Sequence, residues 1–259
     1  MFMENASSNI VIEVCCGSVD DGVEATKGGA DRIELNSSLF FGGLTPTLGS
    51  IIEVKKRVDI PVMVMIRPRG GGFCYTQAEM AVMRHDTQLA VEHGADGIVF
   101  GILTEDGSVN IERCLEIMEL AGDRETVFHR AFDVTPEPFE ALEQLVELGF
   151  TRVLTSGQER TVVEGAELIR KLIIRARGRI EILPGGGIRP HNIRRIVEQT
   201  GVKQVHLSAF EQKIDRSVHK RPYITFGGSL HPPEDRYDLI NRKVIQSISD
   251  LLRTMNNDL

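Results

Sequence analysis

The chain has 259 residues, 41% of them hydrophobic and 26% charged, with a formal net charge of −7 and a pI near 5.6. This balance is ordinary for a soluble globular protein and argues against general nucleic-acid binding. No apolar run approaches the length of a membrane span. The opening MFMENASSN lacks the regions of a signal peptide, so a cytoplasmic location with free thiols is expected.

In chain order, strands are predicted at 10–16 (IVIEVCC), 31–36 (DRIELN), 60–67 (IPVMVMIR), 97–101 (GIVFG), 126–132 (TVFHRAF), 151–155 (TRVLT), 179–184 (RIEILP) and 203–208 (KQVHLS). A helical pattern follows each. In 137–148 the apolar positions Phe139, Leu142, Leu145 and Val146 share one helical face. Thr45-Pro46 and Thr135-Pro136 predict an N-cap before an N1 proline. Thr76…Glu79 and Thr161…Glu164 have capping-box spacing.

GADRIEL (29–35), GADGIVF (94–100), GFTRVLT (149–155) and GVKQVHL (201–207) follow one plan, in which a glycine closes a helix and an apolar alternation opens a strand. Strict alternation of β and α runs with such a repeat predicts an α/β fold, a single-domain (β/α)8 TIM barrel. A doubly wound open sheet is the alternative. Residues 1–9 are expected to be a flexible N-terminus. Residues 209–238 are polar, with Lys213, Arg216, His219, Lys220, Arg221 and a His231-Pro-Pro step. They are expected to form a long loop after strand eight, lying over the barrel mouth, before a last helix near 239–256.

Strand alternation sorts the faces. Charged side chains do not suit the apolar layer between strands and helices. Glu13 with Cys15, Glu34 with Asn36, Arg67 with Arg69, His129 with Asp133, and His206 with Ser208 are therefore expected to face inward or upward. Val14 and Cys16 face the helices. Arg130 competes with His129 for the inward position. Glu34 and Arg67 are a candidate buried pair. Glu13, Glu34, His129 and Asp133 are candidates for acid–base work, with His129 acting alongside Asp133 or Glu34.

The segment IPVMVMIRPRGGGFCY (60–75) ends a buried strand in two arginines and three glycines, a pattern that suits a small anion. Gly185, Gly186 and Gly187 after strand seven, Thr155 and Ser156 after strand six, and His206 and Ser208 on strand eight are further candidates for that anion. No lysine ends a strand, which argues against a Schiff-base aldolase. No HExxH, Walker or dinucleotide fingerprint is present. Cys15 and Cys16 point to opposite faces, so they cannot share one metal ion.

VIEVCCGSVDDGVEATKGGADRIELN, FGGLTPTLG, IPVMVMIRPRGGGFCY, GIVFGILTEDGSVN, TVFHRAFDVT, LGFTRVLTSGQ and ILPGGGI resemble the CutC family over about residues 10–209. The resemblance implies a cytoplasmic (β/α)8 barrel, usually a homo-oligomer, that binds or traffics copper. Cys15 matches a cysteine proposed to bind Cu(I) in animal members, and Asn36 stands where its partner cysteine falls. Glu13, Glu34, Arg67, Arg69, His129, Arg130 and Asp133 match the family pattern. Ser208-Ala209-Phe210 departs from the usual Ser-Ala-Arg. Two functions are thus expected: copper handling with Cys15 as a ligand, or a lyase, isomerase or hydrolase acting on a small anionic molecule.

Overall fold

The computed structural model describes residues 10–221, 223–226 and 234–257. The strands are β1 Val11–Cys16, β2 Arg32–Leu35, β3 Val62–Met65, β4 Gly97–Phe100, β5 Glu125–Phe128, β6 Arg152–Thr155, β7 Glu181–Pro184 and β8 Gln204–Leu207. They form one parallel sheet in the order β7-β6-β5-β4-β3-β2-β1-β8. A bridge between Gly185 and His206 joins its two edges. The result is the (β/α)8 barrel, and the open-sheet alternative falls.

Helices α1 Val19–Lys27, α2 Leu48–Lys55, α3 Gln77–Glu92, α4 Ile111–Ala121, α5 Pro138–Leu148, α6 Ala166–Ala176, α7 Ile193–Thr200 and α8 Arg242–Asn257 follow in turn. Their apolar faces and the outward strand residues, Val14 and Cys16 among them, make the main core. The four repeat glycines 29, 94, 149 and 201 have φ of +92°, +88°, +87° and +72°. Only glycine adopts that left-handed region at low cost, so each ends a helix and redirects the chain into a strand.

Several local expectations are corrected. Thr76 and Glu79 do form a capping box on α3. Thr47 rather than Thr45 caps α2, because the Thr45 hydroxyl is engaged with the backbone of Arg67. Thr135 closes a short 3-10 helix, Arg130–Val134, and it is Pro138 that opens α5. The box at Thr161 and Glu164 forms but precedes a turn, since α6 starts at Ala166. Strand five ends at Phe128. His129 stops it by accepting the Ala131 N–H on Nδ1 at 3.1 Å. Phe139 is 40% exposed and lies off the buried face of α5.

The segment after β8 is not an irregular loop in its described parts. Phe210–Ile214 and Arg236–Ile240 pair as antiparallel strands β9 and β10, with Ile240 opposite Phe210. The hairpin is anchored on α1, where the Ile240 N–H donates to Asp21 Oδ1 at 2.8 Å. Residues 1–9 and the His231-Pro-Pro step lie outside the described residues.

The barrel interior is asymmetric. Met63, Met65, Val99, Val127, Leu154 and Leu183, from β3 to β7, form an apolar cluster of their own. Glycine at 97 makes room for it, since a Cβ there would stand 2.5 Å from Met63 Sδ. Strands β8, β1 and β2 line the other side with Gln204, His206, Glu13, Cys15, Arg32 and Glu34. Within the strands most of the buried polar side chains thus lie on the β8–β1–β2 side, with Arg152 on β6 the charged exception.

Candidate functional site

A cavity of about 130 Å³ opens at the carboxyl ends of the strands. Cys15, Glu34, Asn36, Gly42, Met65, Arg67, Phe73, His129, Arg130, Leu154 and His206 line it. Glu13 lies deeper, beneath His206, and is 1% exposed.

His206 occupies the centre of the polar side. Its Nδ1 meets Glu13 Oε1 at 2.7 Å, and its Nε2 faces Glu34 Oε2 at 3.9 Å. Asn36 Nδ2 donates to Glu34 Oε2 at 2.8 Å and lies 3.6 Å from Cys15 Sγ. Cys15 Sγ, a Glu34 oxygen and a His206 nitrogen lie within 4.8 Å of one another. Below them Glu13 pairs with Arg32, and Arg32 Nη2 donates to Gln204 Oε1 at 2.9 Å. Gln204 then reaches Glu181. Arg152 closes the network, bonded to Glu181 at 2.8 Å and to Glu125 at 2.7 Å. Arg152 and Gln204, both buried, were not among the residues expected inside, nor were Glu125 and Glu181, whose side chains are 43% and 57% exposed at the other end of the barrel. Their parity on β5 to β8 was the available signal: each sits two residues before an inward position.

These contacts set the protonation states. Burial pushes the Glu13 carboxyl up, but the bond to His206 and the charge of Arg32 outweigh it and bring it down to about 2. Burial opposes charge on His206, yet Glu34, Cys15 and Glu13 together raise it well above its ordinary value. Burial pushes the Cys15 thiol up to about 12. Burial also raises Glu34.

The expected two-arginine clamp does not form. Arg67 lines the cavity, but Arg69 turns away. Its Nε bonds Glu79, its Nη atoms reach the carbonyls of Gly70, Gly72 and Cys74, and it stacks 5.2 Å over Tyr75. Strand alternation cannot carry past Met65, where β3 ends, and Pro68 has no N–H with which to continue the ladder. The Glu34–Arg67 pair is likewise absent. Arg67 Nη1 donates to the carbonyls of Phe41 and Gly43 at 3.0 and 3.1 Å, and Nη2 to that of Gly71 at 2.7 Å.

His129 faces inward but does not pair with Asp133 or Glu34. Asp133 is the hub of the loop after β6: it accepts from the Thr155 hydroxyl, from Ser156 through both N–H and Oγ, and from the Gln158 N–H. It also holds Arg130 at 2.7 Å. Thr155 and Ser156 are therefore committed to structure rather than free for a ligand. The Gly185 N–H is taken by Thr155 O at 2.9 Å. Gly186, Gly187 and Ser208 do not line the cavity. The Gly186 carbonyl accepts from Val162, the Gly187 carbonyl from Asn192, and the Ser208 carbonyl from Arg189.

The loop after β6 also fixes an expected result. A Cβ at residue 165 would stand 1.9 Å from the Ser156 carbonyl oxygen, which is backbone and cannot swing aside. Gly165→Ala should cost about 2–3 kcal/mol, read as a lower urea midpoint. An unchanged midpoint would show that the loop is not tied down as described.

A family model described as the CutC family matches residues 10–211. A CutC family protein of Treponema denticola is 51% identical over 244 residues, 93% of this chain and 99% of that protein. The human copper homeostasis protein cutC homolog is 47% identical over 225 residues, 87% of this chain and 82% of its own. A crystal structure of a CutC from Streptococcus agalactiae superposes with a TM-score of 0.73 at 38% identity, covering 76% of this chain and 97% of that one.

Proposed function

This chain belongs to the CutC family, and from that premise we propose that it handles copper by binding Cu(I) at Cys15 and His206, with Glu34 beside them. The observation that carries this reading is the Cys15–Glu34–His206 cluster, with its ligand atoms within 4.8 Å. The thiolate and the imidazole are donors that Cu(I) favours. Strand facing alone offered one ligand, Cys15. The histidine is the second, and it takes the place of the missing cysteine at Asn36. Glu13 at His206 Nδ1 supplies the carboxylate that orients a metal-binding imidazole and fixes which nitrogen is free. The names of the human and mouse relatives support copper as the ion. No helix among the described residues is long and apolar enough to cross a membrane.

The test is Cu(I) titration against bicinchoninate. Wild type should take up one Cu(I), and both Cys15→Ser and His206→Gln should lose that site. Cys16→Ser should keep it, because Cys16 is buried on the helix side. Stoichiometric binding that survives Cys15→Ser, or Zn(II) uptake with no Cu(I) uptake, would refute the reading.

A further inference from the structure

Three arginines are buried among the described residues: Arg32, Arg67 and Arg152. Arg32 and Arg152 face carboxylates. Arg67, 7% exposed, forms no ion pair. Three backbone carbonyls hold its Nη atoms, and Phe73 lies 5.1 Å beneath it. These contacts fix the guanidinium but do not neutralise it. Its Nε is buried and has no hydrogen-bond partner among the described residues, and the Tyr75 hydroxyl, also buried and unpartnered, stands near the same guanidinium. A buried charge is expensive unless something of opposite sign accompanies it.

His129 stands on the same cavity, 4% exposed. Because its Nδ1 accepts the Ala131 N–H, the ring proton is on Nε2, which is also buried and unpartnered. Burial and the nearby Arg67 charge hold the ring neutral, with its pKa lowered to about 3. Glycine at 101 allows this placement, since a Cβ there would meet His129 Nδ1 at 2.5 Å. The residues that line the cavity thus include two buried N–H donors without partners and one positive charge with no carboxylate paired to it. On the cavity wall formed by Glu34, Oε1 is a buried oxygen without a partner.

We propose that this cavity binds a short hydroxy-carboxylic acid, its carboxylate on Arg67 Nε and His129 Nε2 and its hydroxyl on Glu34. A carboxylate offers two acceptor oxygens to two donors and supplies the missing counter-charge. A hydroxyl satisfies the idle Glu34 oxygen. The cavity of about 130 Å³ is several times the roughly 10–15 Å³ that one water needs on this measure, so a small organic acid has room. A phosphate dianion fits less well, because two N–H donors cannot serve it and Glu34 stands beside it. This site shares Glu34 and its cavity with the proposed copper site, so its test is run on chelator-treated, metal-free protein, where its failure is separate from that of the copper reading.

The experiment is calorimetric titration with glycolate, L-lactate, acetate and inorganic phosphate. Glycolate or lactate should bind, acetate about tenfold more weakly for want of the hydroxyl, and phosphate not at all. His129→Phe keeps the ring packing and removes the donor, so it should weaken glycolate about tenfold. Because Arg67 also ties the loop after β2 to the loop after β3, the second readout needs no variant: the His129 Nε2 proton resonance should shift on adding glycolate to wild type. Absence of binding by either hydroxy acid, equal affinity for acetate or phosphate, equal binding by His129→Phe, or an unmoved resonance would each overturn the assignment.

Discussion

Glu13→Gln should destabilise the barrel by about 3–5 kcal/mol, the cost of removing one partner from a buried charge pair. For a chain of this length that is a fall in Tm on the order of 10 °C. Glu13 is 1% exposed and holds both Arg32 and His206. A neutral amide leaves the Arg32 charge buried with only Gln204 for company. The pH dependence follows with a definite sign. The folded carboxyl is depressed to about 2, below the ordinary carboxylate range near 4.5. Its stabilisation is fully present above that range and is lost as pH falls toward about 2. Urea titrations from pH 7 to pH 2 should show that acid loss in wild type and a shallower one in Glu13→Gln. By contrast, Glu143→Gln on the exposed Arg175 and Arg179 pairs should change stability little. If Glu13→Gln is as stable as wild type, the axial network is not what holds this side of the barrel.

At the proposed Cys15–His206 site copper affinity should rise with pH, by up to about 100-fold per unit while both groups are protonated, because each ion would displace two protons and each proton contributes about tenfold. In the metal-free protein the Cys15 thiol, pushed up to about 12, carries its proton. His206 carries a second one, raised by Glu34, Cys15 and Glu13 against the effect of burial. Cu(I) binds thiolate and neutral imidazole, so both protons must leave. The check is bicinchoninate competition at pH 6.5, 7.5 and 8.5, with a pH-stat count of protons released per ion. Release of about one proton would remove either Cys15 or His206 from the coordination sphere. A pH-independent affinity would remove both.

The sequence by itself determined the barrel and its sidedness. Alternation of strand and helix patterns, with a glycine closing the helix before every second strand, leaves few other architectures. Period-two alternation assigns each strand residue to the axis or to the helices, which put Cys15, Glu34 and His206 on the axis; Asn36, Arg67 and His129, just past their strand ends, reach the same mouth. Pairing was settled only in three dimensions. Alternation gives a face but not a height, and neighbouring strands are staggered: Glu13 stands level with Arg32 and His206, not with Glu34. That stagger chose Arg32 and His206 as the partners of Glu13 and set His206 beside Cys15. Where the ladder ends, the rule ends with it. Arg69 and Asp133 lie beyond the last residues of β3 and β5, and the local turns, not strand parity, sent one to Glu79 and the other into the loop after β6. The free donors of Arg67 and His129 were equally beyond sequence reasoning, because an unpaired atom is defined by what every neighbouring element fails to offer it.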